Sequence, residues 1–141
     1  MAKKELHTLI RLRKWDVDEK QRALAVVLRA EESIIARQEA LEAEIKNELA
    51  LAAQLPADQR GTLHGYFKRC EGYRAALTSA LDDVRQRIVK AQDQLAEAYR
   101  RLKTFEVTQK QRDLAEEHEE NRLETIDLDE IGLNLHRRKS A

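Results

Sequence analysis

At 141 residues the chain has the length of one domain, and 37% of it is charged while 4% is aromatic. That is poor material for a globular core but suits long helices with a narrow buried stripe. Twenty-six basic and twenty-six acidic side chains cancel to zero net charge, which excludes a bulk attraction to nucleic acid or to a membrane.

The first predicted helix runs from about residue 4 to 54, on the order of 75 Å at the usual rise per residue. Its apolar residues recur at alternating steps of three and four: Leu6, Ile10, Val17, Leu24, Val27, Ile34, Leu41, Ile45, Ala52 and Leu55. This is a heptad repeat, with Leu6 at d and Ile10 at a, and over many heptads it predicts a coiled coil. Polar residues interrupt the seam at Arg13, Lys20, Glu31, Gln38 and Glu48. Long side chains at such positions snorkel and set register, and they also keep the seam weaker than a fully apolar one.

Pro56, the only proline, costs about 3 kcal/mol inside a helix. Residues 55–61 therefore form the turn. Thr62 is a candidate N-cap for the second helix, with Asp58 an alternative start one turn earlier. Gly65 and Gly72 weaken the opening of that helix, so packing has to hold it.

The second predicted helix covers about 62–121. Its seam is Leu63, Phe67, Cys70, Leu77, Leu81, Val84, Ile88, Ala91, Leu95, Ala98, Leu102 and Phe105, with Arg74 the main interruption. Folding the chain back at Pro56 sets Leu55 beside Leu63. It then sets Leu41 opposite Leu77, Ile34 opposite Val84, Leu24 opposite Leu95, Val17 opposite Leu102 and Ile10 opposite Gln109. Arg74 falls beside Ile45, one turn from Glu48. The apolar content of the second seam ends where the first helix runs out, which supports an all-α fold: a single-domain, two-helix antiparallel coiled coil, or helical hairpin.

Beyond Phe105 the seam positions become Gln109, Arg112, Glu116 and Glu119. Residues 106–130 hold ten acidic and three basic side chains. The expectation is a solvated single helix to about Asn121, then a frayed or disordered tail over 122–141 that docks on a partner or stays unfolded. The tail contains Leu128, Ile131, Leu133 and Leu135 and ends on Arg137, Arg138 and Lys139.

No catalytic, metal or cofactor constellation is visible. His7, His64, His118 and His136 are scattered, and no HExxH, paired Cys-x-x-Cys, Walker loop or GxSxG occurs. Cys70, at a seam position, reads as a small core residue, and one cysteine fits a reducing compartment. No apolar run spans a bilayer, and no apolar stretch follows Lys3 and Lys4 to make a secretory signal. The chain reads as cytoplasmic and non-enzymatic. Residues 1–30 carry eight basic and four acidic side chains, but the apolar stripe a lipid surface needs is already used by the seam.

The candidate binding residues are apolar side chains off the seam. Trp15 sits at an f position, facing away from the partner helix, with Leu12 one turn before it. Val107 and Leu114 form an f stripe on the second helix, and Tyr66 and Tyr73 flank the seam at g. Any one of these is an ordinary surface hydrophobe; together they form sets that aromatic-rich interfaces use.

Both ends of the sequence carry a resemblance. Leu6-His7-Thr8-Leu9-Ile10-Arg11-Leu12-Arg13, continuing through Asp18-Glu19-Lys20-Gln21-Arg22-Ala23-Leu24, resembles the opening of the flagellar export protein FliJ family. Leu128-Asp129-Glu130-Ile131-Gly132-Leu133, followed by basic residues, resembles that family's LDEIA-type ending. Injectisome relatives of the YscO type share the architecture. The resemblance implies a non-enzymatic central stalk of the type III export ATPase complex, similar to the stalk of rotary ATPases. It implies three partners: the hexameric flagellar export ATPase, the cytoplasmic domain of the export gate, and export chaperones. Any membrane association would be peripheral, through those partners. Carried onto this sequence, the ATPase contact is Leu12, Arg13, Trp15, Val107, Gln111 and Leu114, and the gate contact is Tyr66, Arg69 and Tyr73. Arg69 departs from the family, which has an apolar residue there, and His136 stands where an aromatic is common. Two other readings fit the same residues: a homo-oligomeric coiled-coil scaffold, and a chaperone that shields export substrates with Leu12, Trp15 and the tyrosines.

Overall fold

The computed structural model describes residues 3–140. Met1, Ala2 and Ala141, on which part of the signal-sequence and tail readings falls, lie outside the described residues. Two long helices, α1 (Lys3–Ala52) and α2 (Leu63–Ser140), pack against each other, joined by a turn that contains one 3-10 segment, Ala57–Gln59. Among the described residues there is no strand. The fold is the all-α helical hairpin that the heptads predict. Contacts nevertheless divide the chain into two units, Asp16–Ala98 on one hand and Met1–Trp15 with Tyr99–Ala141 on the other.

In Asp16–Ala98 the turn is built as the proline dictates. Pro56 takes an extended conformation, φ −58° and ψ 149°, and donates no hydrogen bond. The carbonyls left open around it are collected by Arg60. Its Nε donates to the Leu55 carbonyl at 3.1 Å and its Nη2 to the Ala53 carbonyl at 3.4 Å. Backbone bonds from Gln59 N–H to Pro56 O and from Leu63 N–H to Arg60 O lead into α2, which begins at Leu63, directly after Thr62. Asp58 lies in the 3-10 segment and does not start the helix. Leu55 is exposed, so the α1 side of the seam ends at Ala52 and not at Leu55. Helix α1 stops there, and the turn swings Leu55 off the seam.

The core of this unit is the seam itself. Val17, Ile45, Ala52, Cys70, Val84, Ile88 and Ala98 are buried, and Leu24, Val27, Ile34, Leu41, Leu77, Leu81, Ala91 and Leu95 are half-buried. Each buried aliphatic side chain contributes about 1.5–3 kcal/mol. Leu41 and Leu77 line one groove together with Gln38, Glu42, Arg74 and Thr78, the pairing expected from the fold-back. Gly65 and Gly72 lie inside α2, where packing by Phe67 and Cys70 and the edge-on contact of the Tyr66 and Phe67 rings (centroids 5.3 Å apart) hold the helix.

Two ion pairs clasp the helices across the seam. Arg85 Nε donates to Glu31 Oε2 at 3.4 Å. Arg74 does not turn toward Glu48. It forks onto Glu42, with Nη2 donating to Oε2 at 2.7 Å and Nε to the other carboxylate oxygen. Glu42 lies at a position flanking the seam, where a guanidinium can reach a carboxylate in water without burying either charge.

In the other unit, Leu6 is the most deeply buried side chain, 2% exposed. The Arg13 guanidinium lies over the Phe105 ring, 5.6 Å from its centroid, as a cation over an aromatic face prefers. Arg13 thus fills the seam with its stem. Gln109 is buried and donates from Nε2 to Asp113 Oδ1 at 2.7 Å. Past Gln109 every described residue of α2 is exposed.

The expected frayed tail over 122–141 is not what forms: α2 continues to Ser140. No proline follows Pro56, and Gly132 is the only weak helix former of its kind in the stretch, at about 1 kcal/mol. Arg122 forks onto Glu119 one turn back, at 2.6 and 3.0 Å, and that bond holds the Glu119 carboxyl below its ordinary value of 4.5. Arg137, Arg138 and Lys139 fill the last turn, where cations complement the helix dipole.

Three outcomes follow. Deleting Leu114–Ala141 removes no buried residue, so the thermal midpoint should shift by less than about 3 °C, whereas Leu6→Ala should cost about 2 kcal/mol or more; calorimetry or thermal circular dichroism checks both. The Glu42 carboxyl is held below its ordinary value of 4.5 by the Arg74 hydrogen bond. Its depressed folded value means a stabilising contribution present above about pH 4.5 and lost as the pH falls through that lower value. Glu42→Gln should therefore lower the midpoint slightly at pH 7 and leave it unchanged once the pH is below that depressed value, the pair being fully solvated.

Candidate functional site

The sequence-predicted residues fall into two groups, one in each unit. Leu12 and Trp15 lie one turn apart on α1 and are exposed, Trp15 by 54%. Val107, Gln111 and Leu114 are spaced by four and three on α2, which places them on one face; Leu114 is 57% exposed. Each stripe occupies the outward face of its helix, with Trp15, Val107 and Leu114 at f and Leu12 and Gln111 at c. Val107 also lines a shallow groove of about 480 Å³ with Arg100, Lys103, Thr104 and Thr108. The apolar strip beside it is thereby edged with basic side chains, a surface suited to an acidic or amphipathic partner.

Arg13 does not join this surface. Its guanidinium stacks on Phe105, and its Nε is buried without a hydrogen bond. Gln109 Oε1 is likewise buried without one. Arg13 therefore acts through packing, positioning the helix segment that presents Leu12 and Trp15. The heptad phase carried this signal, since Arg13 falls on a d position.

Tyr66, Arg69 and Tyr73 share one side of α2, spaced by three and four. They differ in what they can offer. The Tyr66 hydroxyl donates to Glu44 Oε1 on α1 at 3.3 Å. Desolvation in that setting, with Cys70 and Glu44 adding, raises its phenol above the ordinary value of 10.0. It stays a neutral donor, part of the cross-helix packing. Arg69 is exposed, and Tyr73 is 61% exposed. Tyr73 borders a mainly apolar groove of about 330 Å³ with Arg37, Ala40, Leu41, Glu44, Ala76 and Leu77. Only an elongated, shallow ligand such as a peptide or a helix edge fits such a depression.

Sequence alone did not single out Leu123, Ile126, Leu128, Ile131, Leu133 and Leu135 as exposed helical residues, the first, second and fifth on the seam side of α2 and the others on its outer side. All six lie on helix and are 47–61% exposed. The heptad spacing of Leu123, Ile126 and Leu133 was available as a signal, but the expected fraying after Asn121 hid it. Among the described residues no group of His, Cys, Asp and Glu could hold a metal ion, and no helix is long and apolar enough to cross a membrane.

A two-helix coiled coil that offers exposed apolar stripes defines a class of protein that acts through its surface on macromolecular partners. The model of the flagellar FliJ protein family matches residues 2–141. The chain belongs to the FliJ family, and membership implies a part in flagellar protein export. No match reaches significance among curated proteins or among solved structures.

Trp15 is the only tryptophan, so emission reports that one site. The free protein should emit at the long wavelength of a solvated indole and be quenched readily by acrylamide. Trp15→Ala should change stability by less than about 0.5 kcal/mol, as for an exposed side chain.

Proposed function

We propose that this chain is a non-enzymatic coupling element of the flagellar export ATPase complex. It binds the ATPase ring through Leu12, Trp15, Val107, Gln111 and Leu114, and the export gate through Arg69, Tyr73 and the groove beside Tyr73. Arg13 and Tyr66 hold these surfaces in shape from the seam. The reading rests on FliJ membership together with one observation: the side chains carried over for the ATPase contact, other than Arg13, are exposed, while Leu6, Val17 and Gln109 on the seam are buried and Ile10, Leu102 and Phe105 half-buried.

The physical role follows from the seam. A helix pair that keeps its core between two helices has its outer faces free, so it can occupy the centre of a ring and touch several subunits without refolding. The ring-facing stripes are apolar with charged edges, and such contacts give specificity and a salt-sensitive association rate. Chemistry stays with the ATPase; this chain shifts the ring's assembly and turnover. The protein works at the cytoplasmic side of the export apparatus and meets the membrane only through its partners.

Titration into purified export ATPase checks the reading. Ring assembly and hydrolysis should rise with added protein. Trp15→Ala and Leu114→Ala should each weaken that effect by about tenfold, the scale of a truncated interface anchor. Unchanged hydrolysis, or full stimulation by both variants, would rule the ring contact out. Binding of Trp15 should also shift its emission to shorter wavelength. Tyr73→Ala should leave stimulation of the ATPase intact while weakening capture of the gate's cytoplasmic domain.

A further inference from the structure

Helix α2 runs unbroken from Leu63 to Ser140, so the heptad phase that places Leu102 and Phe105 in the seam continues through its outer part. In that phase Gln109, Arg112, Glu116 and Glu119 are polar. The next positions, Leu123 and Ile126, are apolar again, then Glu130 intervenes and Leu133 follows. Leu123 is 49%, Ile126 47% and Leu133 57% exposed. This is the same interface that packs against α1, carried on with no helix opposite it among the described residues. The face differs from that of Val107 and Leu114, which lie at f.

Charge says what would cover it. Residues 106–130 carry ten acidic and three basic side chains; Asp113, Glu120 and Asp127 hold e positions and Asp129 a g position beside the seam, and the one basic flanking residue, Arg122 at g, is taken up by Glu119. Where α2 does have a partner in this unit, that partner is basic. Residues 1–15 hold Lys3, Lys4, Arg11, Arg13 and Lys14 against the single acid Glu5. A second copy of the chain is a poor occupant. Antiparallel pairing that sets Leu123 on Leu133 puts Asp127 of each copy against Asp129 of the other and Ile126 against Glu130, and parallel pairing stacks Glu119 and Glu130 on themselves.

We infer that the outer part of α2, centred on Leu123, Ile126 and Leu133, is a docking seam for a basic amphipathic helix supplied by a partner protein. The incoming helix continues the line of α1, burying its apolar stripe on these three side chains and setting Lys or Arg beside Asp113, Glu120, Asp127 and Asp129. The site is separate from the ATPase and gate surfaces, and it stands or falls independently of them.

The test uses the full chain and a labelled synthetic helix of about four heptads with Leu at a and d and Lys at e and g. A control helix carries Glu at e and g. Fluorescence anisotropy should show saturable binding of the Lys helix that weakens with salt and no binding of the Glu helix. The triple variant Leu123→Ala, Ile126→Ala, Leu133→Ala should weaken binding by more than about tenfold. It keeps its fold, because the three sites are exposed and alanine favours helix. Trp15→Ala should bind the Lys helix like the unaltered chain, which separates this site from the ring contact. Equal binding by the triple variant would reduce the effect to bulk charge and overturn the inference. So would equal binding of the Glu helix, or a dimer of the free chain that the triple variant dissolves, the last because a second copy would then be the occupant.

Discussion

The structure depends on one interaction, the burial of a stripe about two residues wide per heptad between α1 and α2. A two-helix seam has no second layer to share its load. Its apolar residues must therefore recur without long gaps, and they do, from Leu6 and Val17 to Ala52 on α1 and from Leu63 to Phe105 on α2. Polar side chains that break the pattern find partners across the helices or on an aromatic face, although Arg13 Nε stays buried without a hydrogen bond. Arg13 lays its guanidinium on Phe105, and Glu31 reaches Arg85. Long side chains let the seam carry charge without burying it.

What the seam leaves out decides how the protein can act. With its apolar content committed between helices, the remaining apolar side chains face solvent on the outer faces: Leu12 and Trp15, Val107 and Leu114, Tyr73. A coiled coil turns such residues into stripes, because the heptad that aligns a and d positions aligns f and g positions as well. Interaction surfaces on this fold are lines along a helix, and their recognition elements are spacing and edge charge. Stability and recognition are thus drawn from different positions of the same repeat, which lets one vary without the other.

Much of this was legible in the residues. The heptad phase located the seam, the sole proline located the turn, and matching the two runs gave the pairing that joins Leu41 and Leu77 in one groove. The resemblance at the two ends pointed to the family whose model matches residues 2–141. Other features were not legible. Leu55 continues the apolar spacing but leaves the seam, because the backbone turns at Ala52. Arg74 had two carboxylates within a turn, and only the packed geometry selects Glu42 over Glu48. The helix after Asn121 was hidden because its a and d positions first turn polar. Local terms, an Arg122–Glu119 pair and a cationic last turn, sustain it without a partner.

The sequence by itself determined the repeat, the single break and the order in which the two helices must meet. Those follow from periodicity and from proline geometry, which act locally and are written residue by residue. The tertiary structure alone decided what the polar seam side chains engage: Arg13 lies over Phe105 and Gln109 bonds Asp113. It also decided where the shared core stops, after Gln109. These outcomes depend on what stands across the interface, and no single helix encodes that.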